Sequence, residues 1–316
     1  MVDTVVDATH PLVVLVGPTA SGKTSLALKL AEQFDGEIVS CDAVAVYRGL
    51  DIGSAKPTVA ERTRVPHHAI DILDPDESST AGDYSRAARA ALAGIKARGR
   101  LPIVTGGTGL YLRALLEGLA PAPPRDEELR ERLRERAAGR GSEYLHRLLR
   151  RLDPTAAAAI HPNDVPKMIR SAEVTLAARQ RQSEQWQVGR DPLQGFRVFQ
   201  MGLNPPRLEL YERINQRAER MFDEGLLEET QIALARYGDS CSALGSLGYA
   251  QAVALLRGEM TRAEAIAEAQ QGHRNYAKRQ MTWFRRDKQI EWIAGFGDDA
   301  DVQAHAVERV RQHRAS

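Results

Sequence analysis

The stretch from Val13 to Thr24 limits what this chain can fold into more than any other. It reads VVLVGPTASGKT: a short apolar run, a glycine-rich turn, then the start of a helical pattern in which Leu26, Ala27, Leu30, Ala31 and Phe34 recur at helical spacing. Gly17 to Thr24 satisfies G-x-x-x-x-G-K-[ST] in full. Glycine lets the backbone curl until several N–H groups point into one hollow, which makes an anion site. A helix starting near Gly22 adds the positive end of its dipole. Lys23 brings a mobile positive charge, and the Thr24 hydroxyl can ligate magnesium. The strand–turn–helix context predicts a bound di- or triphosphate, and says nothing about whether a phosphoryl group moves.

The 316 residues suggest about two domains at ~150 residues each. A formal net charge of +1 excludes a broad basic coat, so any nucleic-acid contact must come from a local patch. Cys41 and Cys241 are the only cysteines, too few for a disulfide framework, and they read as two ordinary buried thiols in a reducing cytosol. Met1 to His10 carries Asp3 and Asp7 and lacks a basic leader region, so no signal peptide is expected. No apolar run approaches the ~18 residues that span a bilayer. A cytoplasmic monomer is expected.

Glu37 to Ser40 predicts a buried strand ending at Asp42, beside the glycine turn, where open parallel sheets bind ligands; a helix-capping aspartate is the alternative. His67 to Leu73 predicts a third strand, with a histidine pair read as structural. Asp83 to Ala97 predicts a helix. Leu101 to Thr105 predicts a fourth strand running into Gly106-Gly107-Thr108-Gly109 and a helix from Leu110 to Leu116. Many phosphate-loop hydrolases place a magnesium-holding aspartate at such a strand end. Here a glycine turn would let substrate approach the backbone, with the Thr108 hydroxyl free to bond it or merely to cap the helix. The texture changes at Leu119. Pro121 to Pro124 reads as a stiff spacer, Asp126 to Arg151 as a charged helical stretch, Asp153 to Asp164 as a short helix and turn, and Lys167 to Arg181 as a further helix. Polar Gln182 to Asp191 closes a helical insertion of 120–190. Phe196 to Gly202 returns to a core strand. In the helical region Leu208 to Tyr237, Arg213 and Arg217 share one face and suit a pyrophosphate, or else a surface ion-pair face. Gly245 to Tyr249 is a turn before a helix. Gln271 to Arg286 carries Arg274, Lys278, Arg279, Arg285 and Arg286 with Trp283 and Phe284 interleaved, the best local basic patch for a nucleic-acid backbone. The tail beyond Ile290 carries no clear pattern.

The cradle Gly17–Thr24, Asp42 with Val46 to Pro57 (VYRGLDIGSAKP), Gly106-Gly107-Thr108-Gly109-Leu110-Tyr111, His161-Pro162-Asn163-Asp164 and Ala277 to Arg285 (AKRQMTWFR) together resemble the bacterial tRNA dimethylallyltransferases, over about residues 11 to 290. The resemblance implies an α/β fold: a phosphate-loop NTPase-like core of parallel sheet flanked by helices (11–119 and 195–290), an inserted all-helical domain at 120–190 that contacts tRNA, and a tail, 291–316. It implies transfer of a dimethylallyl group from dimethylallyl diphosphate to N6 of adenosine 37, with a tRNA anticodon stem-loop as partner and Mg2+ as cofactor. Gly17, Pro18, Thr19, Ala20, Ser21, Gly22, Lys23 and Thr24 would grip the diphosphate, with Thr24 on the metal and Arg217 as a second clamp. Asp42 would accept the proton, and Thr108 would bond the base or the leaving group. The tRNA contacts implied are Asp42, Ala43, Val44, Ala45, Thr108, Arg130, Pro166, Lys167, Met168, Ile169, Arg170, Gly245, Ser246, Leu247, Gly248, Tyr249, Ala250, Lys278, Arg279, Gln280, Met281, Thr282, Trp283, Phe284 and Arg285. Ala43, Lys167 and Ala250 depart from the family's usual residues. A small-molecule kinase, a prenyltransferase acting on free adenine nucleotides and a non-catalytic RNA-binding module stay open as alternatives.

Overall fold

The computed structural model describes residues 9–120, 122–186, 190–239 and 241–315. The start of the N-terminal segment (1–8), Pro121 of the spacer and residues 187–189 of the polar closing stretch lie outside them. The elements run β1 (His10–Val16), α1 (Lys23–Phe34), β2 (Gly36–Cys41), α2 (Val59–Arg64), β3 (His67–His68), α3 (Ala81–Ala97), β4 (Leu101–Gly106), α4 (Gly109–Leu116), α5 (Glu127–Arg140), α6 (Ser142–Leu152), α7 (Pro154–Ala159), α8 (Val165–Ala178) and α9 (Gln182–Gln185). They continue with β5 (Phe196–Asn204), α10 (Arg207–Asp223), α11 (Leu226–Tyr237), a 3-10 turn (Ser242–Gly245), α12 (Tyr249–Leu256), α13 (Arg262–Phe284), β6 (Glu291–Ala294) and α14 (Ala300–Ala315).

The chain divides into two compact units, residues 1–116 with 193–316, and residues 117–192. In the first, six strands form one parallel sheet in the order β3-β2-β4-β1-β5-β6. Leu12 to Val16 of β1 are all buried, as a strand covered on both faces requires. One core cluster holds Val14, Val39, Val104, Tyr84 and Leu92. A second holds Val13, Leu15, Leu26, Leu30, Ile103 and Val310. Fully burying each such aliphatic side chain is worth about 1.5–3 kcal/mol before chain entropy is counted. The register sets Val16 beside Gly106, and Gly106 beside Cys41. The carboxyl ends of β1, β2 and β4 therefore lie together. Chain order reverses direction across β1, which opens the crevice where such sheets bind ligands.

Several expectations need correction. The third strand stops at His68, because Ala69 and Asp71 take φ of 58° and 55° and turn the chain out of the sheet. Asp126 to Arg151 breaks at Gly141 (φ 80°), and Leu208 to Tyr237 breaks at Gly225 (φ 108°). The tail is not a separate segment: β6 is the sixth strand, and α14 buries Val302, Ala306, Val307 and Val310 in the second cluster. The core thus continues from 193 to 316.

The second unit, residues 117–192, is built of helices. Its core is Leu133, Leu145, Leu149, Ala157, Met168, Ile169 and Ala172. Two buried carboxylates organise it. Asp153 caps α7 through Ala156 N (3.0 Å) and accepts from Ser183 N and Oγ (2.8 and 2.7 Å). Glu173 accepts from Arg170 (2.9 Å) and Asp126 N (2.8 Å), and Arg130 stands 3.9 Å away.

Candidate active site

Between β1 and α1 the backbone follows the glycine turn that the motif demands. Gly17 and Gly22 take positive φ, and a Cβ on Gly22 would fall 2.7 Å from both Gly297 N and Asp298 Oδ1. That close approach comes from the turn after β6, whose Gly297 N–H donates to Ser21 O at 2.9 Å. The C-terminal segment, unpatterned in the sequence, therefore braces the cradle. Lys23 Nζ donates to Gly17 O (3.0 Å) and Pro18 O (2.7 Å).

A cavity of about 510 Å3 opens over the cradle. Thr19 to Thr24 line it on one side, with Asp42, Thr105, Gly106, Gly107, Tyr276 and Gln280 at the sheet's carboxyl edge and Arg213, Arg217 and Arg220 from α10. Lys23 and these three arginines face two carboxylates, Asp42 and Asp298, so the lining favours an anion. Burial, followed by repulsion from Arg217, lowers the Lys23 pKa to about 7, against the opposing pull of Asp42. Arg217 is also pushed down, by burial first, although a guanidinium remains protonated. Arg213 differs from Arg217: it is fixed by two bonds to Asp298 (2.7 and 2.8 Å) and lies 3.7 Å over the Phe296 ring.

Asp42 comes directly after β2. Its Oδ1 accepts from Val44 N (2.8 Å) and Ala45 N (3.2 Å), which shapes a turn and caps no helix, since the next helix is α2, and it also lines the cavity. No hydrogen bond to Oδ2 is found among the described residues. The Thr108 hydroxyl accepts from Ala43 N at 3.1 Å, which joins the β4 turn to the Asp42 turn, and it also bonds the Tyr276 phenol. Thr108 adjoins the cavity rather than lining it. Beside Asp42, Cys41 is an inert thiol pushed up to about 12 by burial. Tyr276, also raised to about 12 chiefly by burial, keeps its phenol proton.

Gln280 does something its place in the sequence did not disclose. Its Oε1 accepts from Thr19 N (2.8 Å), and its Nε2 donates to Gly107 O (3.1 Å), tying cradle to turn. The same turn is packed closely by the protein itself, while Gly106 and Gly107 line the cavity. A Cβ on Gly107 would fall 1.9 Å from Gln280 Nε2, one on Gly109 would fall 2.2 Å from Trp283, and one on Gly106 would fall 2.1 Å from Cys41 O. Backbone packing therefore requires glycine at 106, whereas at 107 and 109 a Cβ meets side chains that would have to shift. Gly106→Ala, which meets backbone rather than a flexible side chain, is expected to cost about 2–3 kcal/mol. A thermal melt of the variant checks this; an unchanged midpoint would contradict it.

The expected tRNA contacts divide. Lys278, Arg279, Thr282 and Trp283 are exposed on α13, as is Arg285 at its C-cap. Lys278, Met281, Thr282 and Arg285 line a second cavity of about 240 Å3 together with Pro18 and Arg207. Ala45, Phe284 and Tyr249 are buried, and the Tyr249 hydroxyl donates to Glu229 at 2.5 Å. From the end of the 3-10 turn into α12, Gly245 is exposed, Ser246, Leu247 and Ala250 are partly so, and Gly248 is buried, its N–H donating to Gln251. In the helical unit Met168 and Ile169 are core residues, Arg130 is 9% exposed against Glu173, and Pro166 and Lys167 are exposed. Side-chain recognition is thereby corrected to packing at Met168, Ile169, Phe284 and Tyr249. Among the described residues no group of three or more His, Cys, Asp or Glu forms a metal cage. The Thr24 hydroxyl at the cavity wall fits a magnesium ion that keeps most of its ligands as phosphate and water oxygens. His67 Nδ1 bonds Val65 O and His68 bonds Glu37, and His67 also lines the cavity.

A profile of the IPP transferase family matches residues 45–287, and an isopentenyl transferase profile matches residues 10–67. The chain is 61% identical over 300 residues to a tRNA dimethylallyltransferase of Koribacter versatilis, covering 95% of this chain and 98% of that one. It is 51% identical over 301 residues to one of Solibacter usitatus, with the same coverage. The crystal structure of the tRNA isopentenylpyrophosphate transferase of Bacillus halodurans superposes with a TM-score of 0.70 at 36% identity, covering 97% of this chain and 98% of that one.

Proposed function

The chain belongs to the IPP transferase family, and from that premise we propose that it transfers a dimethylallyl group from dimethylallyl diphosphate to N6 of adenosine 37 in the anticodon loop of tRNA, releasing pyrophosphate. The observation that carries the assignment of parts is the single cavity that unites the glycine cradle, Lys23, Arg217 and Asp42. Loop N–H groups, Lys23 and Arg217 take the diphosphate, the developing charge of which is largest as it leaves. The Thr24 hydroxyl would hold magnesium, which when bound supplies further neutralisation of leaving-group charge. The N6 lone pair attacks C1 of the allyl group, the C1–O bond breaks, and its electron pair goes to the bridging oxygen. N6 then sheds a proton, which the Asp42 carboxylate accepts. Attack at carbon needs no water-positioning residue. Gln280 and Thr108 hold cradle, β4 turn and Asp42 turn in one arrangement.

Loop bases can leave their stack in a way that paired bases cannot. The exposed cations of α13 beside Pro18 would receive the loop backbone, and the helical unit would bear on the stem. Among the described residues no helix is long and apolar enough to cross a membrane. The tRNA substrate favours a cytoplasmic site of action.

The test is incubation with labelled dimethylallyl diphosphate and an anticodon stem-loop, in parallel with labelled ATP and with AMP as acceptor. Label in the stem-loop adenosine is expected. ATP turnover without prenyl transfer, or prenylation of AMP alone, would end this reading.

A further inference from the structure

The chain that leaves the Asp42 turn runs on to Pro57, and its last part forms one wall of the cavity through Ser54, Ala55 and Pro57. Ala27, Ile38 and Ile70 line the same cavity and, with Ala55 and Pro57, give it apolar surface. The stretch has no strand or helix of its own from Asp42 to Thr58. Something else must hold it. On one side Lys56, its side chain 1% exposed, donates to Tyr47 O (2.5 Å), Asp51 (2.7 Å) and Asp71 (2.6 Å). On the other side is Glu229, from α11 and far away in sequence. Its carboxylate accepts from Asp51 N (2.8 Å), Ile52 N (3.0 and 3.1 Å) and Gly53 N (3.3 Å), and from the Tyr249 hydroxyl (2.5 Å). Tyr249 is fully buried, and a Cβ on Gly53 would fall 2.5 Å from its ring. Three consecutive backbone donors on one carboxylate, backed by a buried ring, fix where residue 54 begins.

We infer that Glu229, braced by Tyr249, is a positioning residue that sets the Ser54–Pro57 wall and through it the length of allylic chain the cavity accepts. This rests on the prenyl-transfer reading. Glu229 touches no substrate atom in this account and acts only through the wall. A carboxylate suits the role because it offers acceptors in every direction, whereas an amide would turn a donor toward N–H groups.

The test compares Glu229→Gln and Tyr249→Phe with the unaltered enzyme, using dimethylallyl and geranyl diphosphate as donors and an anticodon stem-loop as acceptor. For E229Q the KM for dimethylallyl diphosphate is expected to rise about tenfold with kcat nearly kept, and the preference for the shorter donor to fall about tenfold. Y249F, which removes one hydroxyl, is expected to move both quantities the same way by about threefold. A residue that served stability alone would lower kcat equally for both donors, by reducing the active fraction, and leave KM and the donor preference where they were. That result would overturn the inference. Should E229Q fail to fold, Y249F decides by the same readouts. An unaltered enzyme that transfers neither prenyl group to the stem-loop would instead sink the functional reading, so the two failures are distinguishable.

Discussion

Asp42→Asn is expected to lower the single-turnover rate of prenyl transfer about a thousandfold, the middle of the range for a positioned general base, while tRNA affinity changes by less than about threefold. Asparagine is the informative replacement. Its side-chain oxygen can still accept from Val44 N and Ala45 N, the two bonds that shape the turn, so the backbone around the site has no reason to move. What disappears is the oxygen that can take a proton, and with it a negative charge facing Lys23 and Arg217. Donor binding should therefore hold or tighten while transfer collapses. Rapid-quench transfer measured beside filter binding separates the two. Equal losses in rate and tRNA affinity would assign Asp42 to RNA contact instead.

The second large effect concerns Lys23. Lys23→Ala is expected to weaken donor binding and slow transfer together, each by about a hundredfold, as for loss of one preorganised charge at a leaving group. The pKa of about 7 in the free protein adds a sign that can be checked. Above pH 7 the free lysine is increasingly neutral, and a bound diphosphate recharges it. Donor binding at pH 8 should then take up a proton, seen in calorimetry as an enthalpy that depends on the buffer's heat of ionisation, and affinity should fall as pH rises through 7. Lys23→Ala should abolish the uptake. Linkage fixes the stability trend of the free protein as well. The folded pKa lies below the unfolded 10.5, so the unfolded chain binds more protons between the two values, and this group's contribution to stability grows as pH rises from about 7. Donor binding without proton uptake would contradict the placement of Lys23 against the diphosphate.

Much of this was legible because it is written locally. The cradle is one contiguous motif whose chemistry comes from residue order, and the buried strands announce themselves as apolar runs bounded by turns. The parts that escaped are those made by distant residues. Gln280 joins Thr19 to Gly107, and Glu229 holds Asp51 to Gly53; nothing near any of these positions signals the partner. The tail escaped because β6 is only four residues long and α14 turns a stripe of valine and alanine inward, too thin to stand out among its charges. Ala69 and Asp71 in left-handed backbone broke a strand that apolar pattern alone favoured, since no residue type there demands the turn. Family motifs name residues without saying which atom acts. That is why Tyr249, Met168 and Ile169, implied as tRNA contacts, turn out to be buried.

The central claim is that the cradle holds a leaving group, so that carbon–oxygen cleavage is the chemical event. It is tested most directly with dimethylallyl diphosphate carrying heavy oxygen at the position bridging carbon and phosphorus. After one turnover on an anticodon stem-loop, mass spectrometry should find all of the label in pyrophosphate and an unlabelled prenyl group on adenine N6. Label released with a prenyl alcohol, or phosphate appearing on the RNA, would contradict the account.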